Sequence, residues 1–83
     1  MSHPDRSSAF PLAMAAEGEA VCVVAILGGS AMALRVAEIG LNVGSELVVR
    51  QRQGGGLVVG RGETRFALGA GMAHKILVAR AGA

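Results

Sequence analysis

The residues with chemical potential are few: Cys22, His74, His3 and a scatter of carboxylates in a chain of 83 residues. Covalent catalysis needs a nucleophile beside a base that a third group orients. Cys22 lies inside AVCVVAIL, where a thiol behaves as a small hydrophobe and no cationic neighbour in sequence would lower its pKa. No enzyme activity is expected. A tetrahedral metal site needs clustered Cys and His ligands at short spacings, and nothing here clusters. His74 with Glu63, or His3 near the N-terminus, could supply half of a site that a second molecule completes; the plain alternative is a solvated histidine. A dedicated internal site for an octahedral divalent transition metal would need several His and carboxylate ligands converging on open positions.

The second group with potential is basic. Arg50, Arg52, Arg61 and Arg65 fall within sixteen residues of one another, and strict alternation along a strand would place Arg50 and Arg52 on one face. Such a strip suits nucleic acid, an acidic membrane surface or an acidic partner; its plain reading is a solvated face whose charges guard sheet edges. A net charge of +2 with no Tyr or Trp argues against nucleic acid, since no such ring is available to stack on bases. The same lack removes the aromatic groove that docks proline-rich peptides.

These groups must be positioned by a small core. With 52% hydrophobic residues and only Phe10 and Phe66 as aromatics, the core is aliphatic, and a chain of this length makes one domain. Cys22 has no intramolecular partner, so nothing demands an oxidising compartment, and a reducing cytoplasm fits. The longest strongly apolar stretch, Ala20 to Leu27, is far short of the roughly 20 residues of a spanning helix. The segment AFPLAMAA at 9–16 faintly imitates a signal peptide, but Asp5 offsets Arg6 and Pro11 interrupts the apolar run.

Residues 1–8 (MSHPDRSS) read as a disordered tail, and 9–83 as the domain. Strands are expected at 20–27, 45–52, 57–61, 64–68 and 75–80, with Gln53-Gly54-Gly55-Gly56 as a hairpin loop and 69–74 as a helical turn or loop. Between the first two strands, SAMALRVAEIG reads as a short helix with Ser30 as N-cap and Gly40 as its stop. Met32, Val36 and Ile39, at i, i+4 and i+7, would face the core. Leu34, Arg35 and Glu38 would then lie outside, with Leu41 just beyond the stop, as an anchor for a partner. A lone exposed Leu is also ordinary, and Arg35 could pair with Glu38. Gly28-Gly29 lacks the fingerprint of a phosphate loop. Five short strands with one helix after the first predict a mostly β fold, a small five-stranded SH3-like barrel closed on itself. An OB-fold normally places its helix between the third and fourth strands.

The helix-to-strand stretch Leu34-Arg35-Val36-Ala37-Glu38-Ile39-Gly40-Leu41-Asn42-Val43-Gly44 resembles the ferrous iron transport protein A (FeoA) family, which shows R-L-x-E-L-G-hydrophobic-x-x-G there. Gly62 to Leu68 is similar to its G-x-x-x-A-L, and Ala73 to Val78 to its A-x-x-I-x-V, all in order over about residues 11–80. The resemblance implies an SH3-like module, also similar to the C-terminal domain of iron-dependent repressors. It implies a non-enzymatic cytoplasmic accessory factor of ferrous iron uptake that docks on the cytosolic G-protein part of a membrane transporter. Leu34, Arg35, Glu38 and Leu41 would make that contact, with Arg50 and Arg52 as a secondary patch. No cofactor is required, an adventitious divalent transition metal and a weak homodimer are compatible, and no nucleic acid is expected. A different class of reading is a small basic barrel that binds RNA or the ribosome through its arginine face.

Overall fold

In the computed structural model, residues 8–81 are described; the expected tail, Ser8 apart, and His3 lie outside them. One antiparallel sheet has the order β1-β6-β2-β3-β4-β5. Its strands are β1 (Phe10–Pro11), β2 (Ala20–Ile26), β3 (Glu46–Gln53), β4 (Gly56–Arg61), β5 (Thr64–Leu68) and β6 (Ile76–Arg80). Helix α1 (Gly29–Glu38) joins β2 to β3, α2 (Ala70–Lys75) joins β5 to β6, and a 3-10 turn at Leu12–Met14 follows β1.

Three expectations are corrected. Among the described residues there are six strands rather than five, because Phe10 and Pro11 pair with Val78 and Leu77 of β6, so that α1 follows the second strand rather than the first and α2 makes a second helix; two residues are too few for alternation to signal a strand. The sheet does not close, since it ends at β1 and β5 without pairing them. Third, the helix begins earlier than Ser30. Gly28 is its N-cap at φ +98° with no side-chain cap, and Ser30 stands inside the first turn, where its hydroxyl cannot cap.

Alternation builds the core. Val21 and Val23 of β2, Leu47 and Val49 of β3, Leu57 and Val59 of β4, and Ile76 and Val78 of β6 all point inward and are buried. Leu12 and Ala15 from the lead-in, Val36 from α1 and Ala73 from α2 join them. Within α1 only Val36 is fully buried, with Met32 and Ile39 packed at the margin. A helix of ten residues is marginal alone, and this stripe is what holds it in place.

The lead-in is fastened by backbone and charge. Gly18 N–H donates to the Val49 carbonyl at 2.7 Å, and Val49 N–H to the Glu19 carbonyl at 3.0 Å. The Glu19 carboxylate accepts from Ala16 N–H at 2.9 Å and pairs with Arg80 Nε at 2.7 Å. Arg80 also lies over the Phe10 ring, 5.7 Å from its centroid, a cation–π contact joining β6 to β1. Gly56 serves a close approach, because a Cβ there would sit 2.3 Å from the Leu68 carbonyl oxygen.

Candidate functional site

The outer face of α1 is small and apolar around one large side chain. Leu34 is 63% exposed, and Ala31, Ala33 and Ala37 around it are exposed too. At 100° per residue Leu34 falls nearly opposite the Met32–Val36–Ile39 stripe, so it stands at the outward pole with Arg35 and Glu38 to one side. Both charged residues are exposed, and the ion pair found among the described residues is Arg80 with Glu19, not Arg35 with Glu38. The loops before and after α1 expose Leu27 (43%) and Val43 (63%).

Leu41 does not belong to this face. It is fully buried, and the helix terminus is the reason. Gly40, at φ +89°, turns the chain back so that Gly40 N–H donates to the Ala37 carbonyl at 2.9 Å and Leu41 N–H to the Val36 carbonyl at 3.2 Å. That is the Schellman arrangement, which brings the residue after the glycine onto the last inward-facing turn. The Arg61 guanidinium donates to the Gly40 carbonyl, so a cation also meets the negative end of α1.

Arg50 and Arg52 do not share a face. The β3–β4 register runs Val49 to Val59 and then Gln51 to Val58, which leaves Arg50 as a bulge. One inserted residue reverses the alternation beyond it. Arg52 therefore stands opposite core residue Leu57 at the inner rim, where its guanidinium donates to the Ala13 carbonyl at 2.8 Å and to that of Ala15. Its backbone N–H donates to the Glu17 carboxylate at 2.8 Å. Arg52 is a clamp on the lead-in. Arg50 remains on the outer face, folded across Gly60, where a Cβ would lie 2.9 Å from its Nε.

Glu63 lies in the turn from β4 to β5 and His74 in α2, at opposite ends of β5. Among the described residues no group of three or more His, Cys, Asp or Glu is placed to hold a metal ion. The half-buried Cys22 thiol faces the Val23 carbonyl at 3.8 Å, a backbone acceptor rather than a base. No described helix is long and apolar enough to cross a membrane.

The model of the FeoA domain family matches residues 10–80. The chain belongs to the FeoA family. A protein named "Putative Fe(2+) transport protein A" in Methanocaldococcus jannaschii is 39% identical over 69 residues, 83% of this chain and 84% of that one. A crystal structure titled as the iron uptake regulatory protein FeoA superposes with a TM-score of 0.77 at 31% identity, covering 84% of this chain and 93% of that one. A manganese-dependent transcriptional repressor superposes with a TM-score of 0.80 at 26% identity, covering 95% of this chain and 44% of the repressor. The FeoA module is thus also similar to one portion of a longer protein. Membership ties the chain to ferrous iron transport, in a family of transport accessories rather than enzymes.

Proposed function

We propose that this FeoA-family protein is a non-enzymatic cytoplasmic accessory of ferrous iron uptake that docks on the cytosolic G-protein part of the membrane transporter through the outer face of α1. The observation that carries the reading is Leu34, 63% exposed at the outward pole of a helix that exposes Ala31, Ala33 and Ala37 around it. Small neighbours let a partner surface approach closely, and burying one Leu is worth about 1.5–3 kcal/mol, ten- to a hundredfold in affinity. Arg35 and Glu38, without ion-pair partners among the described residues, would orient the contact. Family membership and the name of the archaeal relative support the transport assignment.

The test is calorimetric titration of the full chain with the soluble cytosolic domain of the ferrous iron transporter from the same organism. Leu34→Glu should weaken binding at least about tenfold while leaving the unfolding midpoint in place. Unchanged affinity in that variant would exclude α1 as the docking face.

A further inference from the structure

The arginines divide into those occupied by the fold and those left over. Arg52 is held by the Ala13 and Ala15 carbonyls, Arg61 by the Gly40 carbonyl and Arg80 by Glu19. Arg35 on α1, Arg50 and Arg65 have neither an ion pair nor a hydrogen bond from their guanidinium groups among the described residues, and all three are exposed.

Arg50 and Arg65 converge. Gly60 of β4 pairs directly with Arg65 of β5, so the Arg65 side chain leaves the sheet on the face where Gly60 has none. The Arg50 side chain crosses that vacant position, with Nε 2.9 Å, Cγ 3.6 Å and one terminal nitrogen 3.6 Å from where a Cβ would be. Directly paired positions place their Cβ atoms about 4.5–5.5 Å apart, which puts the Arg50 fork against the base of Arg65. Two like charges side by side on a sheet oppose each other, and an anion held between them reverses the sign of that interaction. A planar carboxylate suits two guanidinium forks. The surface around them carries aliphatic side chains with one amide among them: Val48 pairs with Gly60 and is half-buried, and half-buried Val58 lies between exposed Ala67 and exposed Gln51. Neither aromatic joins this face, for Phe66 pairs with core residue Val59 and Phe10 lies under Arg80, so a nucleic acid base would find no ring to stack on.

We propose that Arg50 and Arg65, brought together across Gly60 by the β3 bulge, form a carboxylate-binding site for a protein segment that alternates acidic and aliphatic side chains. The site is separate from the outer face of α1 and stands whether or not that face docks the transporter. The acidic residue would take the two guanidinium groups, and its aliphatic neighbours would cover Val48 and Val58.

The probe is a capped decapeptide alternating glutamate with valine, titrated into the isotope-labelled full chain and followed by NMR. The expected result is that the Gly60 amide and the Arg50 and Arg65 Nε–H signals move together, and that a glutamine-for-glutamate peptide leaves them still. Arg50→Gln and Arg65→Gln should each weaken binding about five- to tenfold, whereas Arg35→Gln, on α1, should not. Both substitutions are at exposed positions, and an unchanged amide spectrum elsewhere certifies the fold. Equal response to the glutamine peptide, or shifts confined to other arginines, would overturn the proposal. So would tighter binding of an oligouridine of matching charge, which would make this a phosphate site.

Discussion

The amide of Leu41 donates to the carbonyl of Val36 at 3.2 Å, and both side chains are fully buried. The bond therefore joins the end of α1 to the core rather than merely finishing the helix. Replacing Leu41 with Ala should cost about 2–5 kcal/mol, as for other buried leucines. Gly40→Ala, forced to hold a positive φ, should cost about 1–2 kcal/mol. Urea titration of each variant measures both, and a Leu41→Ala midpoint equal to that of the parent would refute the terminus described above.

Arg52 and Arg50 should part company in stability. Arg52→Met loses two hydrogen bonds to the lead-in and should destabilise by roughly 1 kcal/mol after screening at the rim. Arg50→Met, with no partner to lose, should stay within about 0.5 kcal/mol of the parent. Paired denaturation curves decide this, and equal losses would contradict the assigned bulge.

The acid limb of stability should involve Glu19. Its carboxyl is held below the ordinary glutamate value of 4.5, chiefly by the Ala16 N–H hydrogen bond, which outweighs the opposing effect of burial, with further lowering by Arg80. A carboxyl whose folded pKa lies below its unfolded one stabilises the fold above the unfolded value and loses that contribution as pH falls through the folded value. The denaturation midpoint should therefore drop as pH is lowered from neutrality past 4.5, and Glu19→Gln should flatten that drop. A variant with the same acid profile as the parent would show that Glu19 is not responsible.

Gly56 admits no side chain. A Cβ there would lie 2.3 Å from the Leu68 carbonyl oxygen, and backbone cannot retreat cheaply inside a ladder. Gly56→Ala should cost at least about 2 kcal/mol, against a smaller change for Gly55→Ala, whose Cβ would press on the Ala70 methyl at 3.2 Å rather than on backbone. Thermal unfolding of the two variants side by side gives the comparison.

The apolar runs of β2 and β4 and the inward stripe of α1 were readable because each repeats a type along the element, and the Gly40 stop because glycine is the residue type a left-handed helix end selects. The misplacements came where geometry depends on a single residue out of phase. Arg50 bulges with no glycine to announce it, and everything after it changes sides, which separated Arg52 from Arg50 and left Arg65 as its neighbour. Leu41 reads as a residue past a helix end, and only the hydrogen bond back to Val36 turns it inward. Ser30 is a good cap by type, yet Gly28 and Gly29, at φ +98° and +73°, allow the chain to enter the helix sooner. The pairing of Phe10 and Pro11 is dictated by β6, at the far end of the chain, and no local pattern contains it.

The position of β6 between β1 and β2 has a consequence for the order in which the molecule can be assembled. The β3-β4-β5 meander joins neighbours in sequence and closes short loops, whereas Ile76 must find Ile26, and Leu77 both Pro11 and Ala25. Such long loops are entropically slow to close. On a growing polypeptide β1 and β2 are made first, but β1 has no strand to pair with and β2 only β3 until residues 76–80 emerge. β6 is thus the keystone, and a chain halted a few residues short of it would present an open hydrophobic edge to whatever lies nearby.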